Sequence, residues 1–284
     1  MSTPRHLDPD PLVRPEQLAA ASGELAALVA TPPDRTRTQV PVLLVPGYTG
    51  SKEDFWHLLP LLARAGHPAI AIDLRGQFES GGPEDVAAYS LKALAADVSS
   101  LVTEPTHLVG HSFGGLICRR AVLDGAPARS LTLLSSGPGA LGGTRGQLIE
   151  LMRPLLEDGG VPAVWEAAKA IDAADPNVPA VPLPVATFLE RRFLASPKAA
   201  LLGMGVTVTT APDETEELAA SGIPTFVLHG DSDDAWPLDA QREMARRLGA
   251  RHLELAGCGH SPAVDDPDAT ADALLDFWAA VDGR

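Results

Sequence analysis

Seven short apolar runs recur along this chain of 284 residues, and their brevity and spacing restrict it to a sheet-based fold. They lie at 24–31 (ELAALVAT), 42–46 (VLLVP), 69–73 (AIAID), 106–110 (THLVG), 130–135 (SLTLLS), 224–229 (PTFVLH) and 251–255 (RHLEL). Most are continuously apolar, as strands buried on both faces should be, and helix-period segments lie between them. That alternation predicts an α/β fold with a mainly parallel sheet and helices on both faces. Several helix ends are readable. Ser51 and Asp54 form a capping-box-like start to a helix carrying Phe55, Leu58, Leu59 and Leu62, which Pro60 should bend. Ser90 precedes a stripe of Leu91, Leu94, Val98 and Leu101; Gly125 stops a helix that begins near Gly114; Asp266 and Pro267 open the last one.

One stretch breaks the rhythm. From about Gly137 to Ser221 no strand is expected, but apolar residues recur at helical spacing, as in Val164, Trp165, Ala168 and Ile171 or Phe188, Leu189 and Phe193. Prolines interrupt them, notably in PNVPAVPLP at 176–184. The expected organisation is a core of 1–136 and 222–284 with a helical cap at 137–221. Charge narrows the partners. With 22 basic and 37 acidic residues the net charge is −15, which repels phosphate backbones and anionic lipid surfaces, so neither nucleic acid nor membrane is an expected partner. No apolar run reaches the roughly 20 residues that span a bilayer, and the amino terminus lacks the apolar segment of a signal peptide, so a cytoplasmic location is expected. Cys118 and Cys258 are far apart in sequence and are expected to be free thiols.

The chemistry centres on LVGHSFGG at 108–115. Gly110-His111-Ser112-Phe113-Gly114 follows an expected strand and opens an expected helix, the context in which G-x-S-x-G makes a tight turn that lifts a serine hydroxyl out of the backbone. A serine hydroxyl is a weak nucleophile at neutral pH, so it needs a base, a group that orients the base, and donors for an oxyanion. After the strand at 224–229 comes HGDSDDAWP, where Asp231, Asp233 and Asp234 crowd one loop. After the last strand comes LAGCGHSPAVDDP, which places His260 in a glycine-flanked loop and completes the order serine, acid, histidine. His107 and His111 straddle a strand and a turn rather than one helical face and are not expected to bind metal, and His229 reads as a satisfied structural residue. Asp73 reads as structural as well.

From about residue 24 to its end the chain resembles the α/β-hydrolase superfamily, in its branch of capped serine esterases and C–C hydrolases. The resemblance implies the α/β-hydrolase fold, with the cap inserted after the sixth strand of the family's count. Gly230, Asp233 and Pro237 match the family's G-x-x-D-x-x-x-P spacing, so Asp233 is the implied acid. The family's oxyanion loop usually begins His-Gly; here it reads Pro46-Gly47-Tyr48-Thr49-Gly50, and the implied donors are the amides of Tyr48 and Phe113. The family's D-x-R-G-H-G-x-S stretch appears as Asp73-Leu74-Arg75-Gly76-Gln77-Phe78-Glu79-Ser80, a second departure. Serine at position 112 argues against the dehalogenases and epoxide hydrolases of this fold, which resemble each other in using a carboxylate nucleophile.

The resulting expectation is a serine hydrolase of the carboxylesterase kind, with Ser112, Asp233 and His260 as triad and with no metal or organic cofactor required. Its substrate would be a small-to-medium, largely apolar ester, lactone or thioester. C–C bond hydrolysis and cofactor-free perhydrolysis use the same triad, and a ligand receptor that retains the triad is the alternative outside enzymes. Tyr48, Trp165, Phe188, Phe193 and Met204 are candidates to line the substrate pocket, and Trp236 to flank its entrance. Oligomeric state is not legible in the sequence.

Overall fold

The computed structural model describes residues 2–8, 10–34, 39–174 and 181–283. In chain order the first elements are β1 (Val13–Ala20), β2 (Gly23–Ala30), β3 (Val42–Val45), α1 (Leu58–Arg64), β4 (Ala69–Ile72), α2 (Leu91–Leu101), β5 (Thr106–His111), α3 (Phe113–Leu123) and β6 (Ala128–Leu134). Four helices follow, α4 (Gly143–Ala174), α5 (Leu183–Ala195), α6 (Lys198–Thr210) and α7 (Thr215–Ser221). The chain then continues through β7 (Thr225–Gly230), α8 (Leu238–Leu248), β8 (Arg251–Leu255), α9 (Pro262–Asp265) and α10 (Pro267–Asp282). One sheet of eight strands runs in the order β1-β2-β4-β3-β5-β6-β7-β8. Pairing is antiparallel at β1–β2 and β2–β4 and parallel from β4 to β8.

Continuous apolar runs fold this way because each strand feeds two cores at once. Leu43, Val45, Leu108, Leu131, Leu133 and Val227 face a core completed by α2, α3 and α8. Val42, Leu44, Val109, Leu134, Phe226 and Leu228 face the other, closed by α1 and α10. Side chains alternate across a strand, so both parities must be apolar when both faces are covered. Each fully buried aliphatic or aromatic side chain contributes about 1.5–3 kcal/mol to holding helices on the sheet.

The seven expected strands occur, and β1 is an addition. Its sequence VRPEQLAA carries Pro15, Glu16 and Gln17 and is only half-buried, as befits an edge strand paired with β2 alone. The helix expected across Pro60 is also revised. Lys52–Phe55 is a 3₁₀ turn opened by the Ser51–Asp54 capping box, and α1 starts afresh at Leu58. Pro60 then falls in the first turn of α1, where an amide hydrogen would lack a partner anyway, so nothing bends. At the far end Asp266 caps α10 by accepting the Ala269 amide at 2.9 Å, as its sequence position implied.

Between β6 and β7 the described residues form helices only. α4 is kinked at Gly160, where φ is 72°. Residues 176–180 of the proline-rich stretch lie outside the described residues. The inserted helices have their own small core, with Leu156, Val164, Trp165, Val185, Phe188 and Phe193 buried together. They are fastened to the sheet side by a buried ion pair: Arg192 of α5 donates to Asp54 at 2.7 Å, to Ser51 Oγ at 3.4 Å and to the carbonyl of Ser2 at 2.8 Å. No described helix is long and apolar enough to cross a membrane.

Burial pushes the Asp54 carboxyl above its ordinary range even with Arg192 beside it, so desolvation offsets much of this pair's attraction. Removing one partner alone leaves the other charge buried. Asp54→Ala should therefore lower the unfolding free energy in urea by about 3–5 kcal/mol, whereas Asp54→Leu combined with Arg192→Met should recover most of the loss. Equal losses in the single and double variants would show that the ion pair is not what fixes the inserted helices.

Candidate active site

β5 passes into α3 through a single residue, Ser112, whose backbone is held at φ 54° and ψ −121°. A positive φ is costly for a residue with a Cβ, about 1–3 kcal/mol, and persists only where neighbours enforce it. Here they do. The Ser112 amide donates to the carbonyl of Leu134 on β6 at 2.8 Å, and the Ser112 carbonyl accepts the Gly115 amide at 2.9 Å. The flanking glycines are required by close approach: a Cβ on Gly110 would lie 2.4 Å from the Gly114 carbonyl oxygen, and one on Gly114 would lie 2.3 Å from that of Val45. This answers the sequence pattern physically: the turn folds back on itself too closely for a side chain at Gly110 and packs too closely on the end of β3 for one at Gly114.

His260 stands over the serine. Its Nε2 is 3.0 Å from Ser112 Oγ, and its Nδ1 is 2.8 Å from Asp233 Oδ1. With Nδ1–H donated to the carboxylate, Nε2 offers its lone pair to the serine hydroxyl. Asp233 is buried, and burial alone would raise its carboxyl. Hydrogen bonds from His260, from the Ala235 amide at 3.0 Å and from Gln241 Nε2 at 3.0 Å reverse that and hold it below the ordinary carboxylate range. The other two acids of the loop point elsewhere. Asp234 is exposed and pairs with Arg145 of α4, while Asp231 accepts the Gly257 amide at 3.1 Å.

Three side chains have supporting roles that the sequence did not show. Gln241, fully buried on α8, has no motif around it and is recognisable only once its contact with Asp233 is seen. His111 donates from Nε2 to the carbonyl of His260 at 2.7 Å. Burial, reinforced by the neighbouring imidazole of His260, pushes His111 down to about 3, so it stays neutral and braces the histidine loop without competing for the proton. Gln77 occupies the position of the family's missing histidine; it donates to the Gly47 carbonyl at 2.8 Å and accepts the Leu74 amide at 3.0 Å. The loop Pro46–Gly50 is therefore braced by an amide side chain in place of an imidazole.

Two cavities meet over this constellation. One, of about 270 Å³, holds Ser112 and His260 along with His111, Arg145 and Leu141. The second, of about 240 Å³, is walled by inserted helices through residues such as Met152, Leu156, Phe193 and Leu202. Tyr48, Thr49, Leu148 and Ile149 line both, so the apolar chamber opens beside the serine. Tyr48 is fixed at this junction by a hydrogen bond from its hydroxyl to the Leu201 carbonyl at 3.0 Å.

Of the sequence candidates for the pocket wall, Tyr48 and Phe193 line these two cavities, and the other four lie in the packing around them. Trp165 packs against Phe193 with ring centroids 5.5 Å apart and donates to Glu190, and Phe188 packs edge-on to Phe78 at 5.6 Å. Both belong to the inner core of the inserted helices. Met204 and Trp236 belong to the main core; Trp236 donates to the Gly139 carbonyl at 3.1 Å, and its ring centre is 6.5 Å from that of His260. Their places in the cores are not distinguishable in the sequence. An apolar stripe has the same sequence signature whether it meets other side chains or an empty chamber. Leu148 and Ile149, from the first turns of α4, are the wall residues that the sequence did not distinguish.

Comparison with known proteins gives the same architecture. The alpha/beta hydrolase family pattern matches residues 42–273. RutD of Variovorax paradoxus (strain S110), which carries the name of a carbamate hydrolase, is 31% identical over 261 residues, covering 84% of this chain and 92% of its own. A proline iminopeptidase of Lactobacillus delbrueckii subsp. lactis is 26% identical over 269 residues, 84% of this chain and 90% of its own. A carboxylesterase structure from the ammonia-oxidizing thaumarchaeon Nitrososphaera gargenis superposes with a TM-score of 0.74 at 20% identity, covering 94% of this chain and 99% of that one. With a strand-to-helix serine turn on a mostly parallel eight-stranded sheet and a family match over most of its length, this chain belongs to the alpha/beta hydrolase family and is an enzyme of that class.

Proposed function

We propose that the chain is a serine hydrolase that cleaves a small-to-medium, largely apolar carboxylic ester, lactone or thioester through an acyl-enzyme. The observation that carries this reading is the unbroken line from Asp233 through His260 to Ser112, with contacts of 2.8 and 3.0 Å. Ser112 Oγ attacks the carbonyl carbon while His260 Nε2 takes its proton, and Asp233 steadies the imidazolium that forms. The carbonyl oxygen becomes an oxyanion held by the amides of Tyr48 and Phe113. Among the described residues neither amide donates to another loop, turn or cap carbonyl, which leaves both available. Each such donor is worth roughly 100- to 1,000-fold in rate. Collapse expels the alcohol or thiol, which takes the proton from His260. Water then attacks the acyl group, His260 accepting and returning its proton, and Ser112 is freed.

The chamber walls support the substrate class. An acyl chain entering the 240 Å³ chamber would meet Met152, Leu156 and Ile149, whereas the side nearer solvent carries Arg145, Ser2 and Thr3. We assign the acyl part to the first and the leaving group to the second, with the helices of 137–221 acting as the cap. Esterases and a carbamate hydrolase name among the relatives are in keeping with acyl transfer to water.

A p-nitrophenyl ester series from acetate to decanoate should give an initial burst followed by steady turnover, and Ser112→Ala should lower kcat on the order of a million-fold. One stoichiometric release with no turnover would favour a receptor instead. Asp233→Asn should lower kcat by about 10⁴-fold because the wrong tautomer of His260 is then held, whereas Asp234→Asn should leave it near wild type, its ion pair with Arg145 being exposed and weak. The reverse pattern would refute the assignment of the acid. Ile149→Trp should fill the junction of the two chambers and move the preferred acyl length toward acetate, read as kcat/KM along the same series; an unchanged length preference would remove the acyl chain from that chamber.

A further inference from the structure

On the face of the sheet edge formed by β7 and β8, two imidazoles and a carboxylate outside the proposed triad converge. His229 and Glu254 are opposite partners in the β7–β8 register, and His252 lies two residues before Glu254, so all three project from the same face. His229 Nε2 is 2.9 Å from His252 Nε2, His252 Nε2 is 3.8 Å from Glu254 Oε1, and the ligand atoms of all three lie within 4.8 Å of one another. We propose that His229, His252 and Glu254 form a binding site for a first-row divalent cation of the zinc type, which ties the edge strand β8 to β7.

The donor set is the reason for naming that class. Two neutral imidazoles and one carboxylate suit Zn²⁺ with a water molecule as fourth ligand, and the oxygen-rich shells of Ca²⁺ or Mg²⁺ do not use imidazole in this way. His229 Nδ1 donates to the Gly230 carbonyl at 2.9 Å, the outer contact that commonly fixes a ligating histidine with its Nε2 lone pair outward. Both oxygens of Glu254 accept from Arg242, at 2.6 and 2.8 Å, which orients the carboxylate and leaves the second lone pair of each oxygen for an ion. Arg242 also donates to Asp239 at 2.7 Å. Counting Arg242, Asp239 and Glu254 together gives a local charge of −1, which a dication complements.

In the metal-free pair, His252 donates its Nε2–H to His229. On binding, that proton moves through solvent to His252 Nδ1, the ring stays neutral, and both Nε2 lone pairs point at the ion. Zn–N bonds of 2.0–2.1 Å in a tetrahedron set the two nitrogens about 3.3 Å apart, so the pair must open by about 0.4 Å. His252 can supply that movement, since its side chain is 27% exposed and β8 is an edge strand. The ion takes no part in acyl transfer. β7 runs on to Asp233 and β8 to His260, so a clasp here would stiffen the two strands whose loops carry those residues.

The test uses the full chain, stripped by chelator and dialysed, and does not depend on its hydrolase activity. Zn²⁺ added alone should bind with one equivalent by calorimetry and raise Tm. Co²⁺ alone should develop the intense visible bands of a four-coordinate ion. His252→Ala, at a partly exposed position, should fold normally, weaken binding at least tenfold and abolish both the bands and the Tm rise; Glu254→Gln should weaken binding as well, while Ser112→Ala should bind like wild type. If His252→Ala binds Zn²⁺ as tightly as wild type, or Co²⁺ gives only six-coordinate spectra, the proposal fails and the two rings form a hydrogen bond and nothing more.

Discussion

Everything at the candidate site depends on one strained peptide. Ser112 sits at φ 54° between the last residue of β5 and the first of α3, and no sequence of ordinary residues would relax into that turn unaided. The strain is maintained by packing on three sides: the Leu134 carbonyl takes its amide, and the backbones of Gly114 and Val45 approach to a distance that excludes any Cβ. Other positive-φ residues cluster at the same end of the sheet, Thr49 (φ 59°) in the loop after β3 and Ser135 (φ 48°) just after β6. Strain concentrated in this way implies that the surrounding cores over-determine the loops, since each such residue costs about 1–3 kcal/mol that burial elsewhere must offset.

Topology explains why the elbow faces an opening. Read outward from the middle of the sheet, β4 lies to one side of β3 and β5 to the other, so the connections leaving β3 and β5 diverge and leave a crevice at the carboxyl ends of those strands. The Pro46–Gly50 loop follows β3 and Ser112 follows β5, and the loops after β7 and β8 bring Asp233 and His260 to the same end. Parallel strands place all their carboxyl ends on one edge. A serine can therefore meet an acid and a histidine more than a hundred residues further along the chain without any one loop being long.

Much of this was legible because the signals were local. Buried parallel strands declare themselves as apolar runs, and the glycines at 110 and 114 mark a tight turn within five adjacent residues. Three kinds of feature were not legible. β1 is an edge strand whose Pro15 and polar residues suppress the usual pattern, and its pairing depends on β2 being there first. Pro60 read as a kink because sequence alone does not fix where a helix begins, and a shift of the start by a few residues turns a breaker into a tolerated first-turn residue. The braces of the site, His111, Gln77 and Gln241, act through single tertiary hydrogen bonds; His111 and His260 are 149 residues apart. Chamber walls fall in the same class, since Trp165 and Leu148 both lie on apolar helical stripes and only packing decides that the first is core and the second is wall.

Tyr48 links these levels. It lines both chambers, one of which also holds Ser112, and its hydroxyl reaches the Leu201 carbonyl on α6. The same loop is held from the opposite side by Gln77 through the Gly47 carbonyl, and the turn just after it is held by Arg192 of α5 through Asp54 and Ser51. Two inserted helices thus hold the segment that carries one of the proposed oxyanion donors. An oxyanion hole stabilises charge only when its donors are fixed before the charge develops, because reorienting a dipole during the reaction costs much of what the dipole then supplies. The inserted helices therefore do more than roof the apolar chamber: by pinning the loop at Tyr48, Ser51 and Asp54 they make the position of that amide a property of the whole fold, and a substrate that shifted α5 or α6 would move the donor along with the chamber wall.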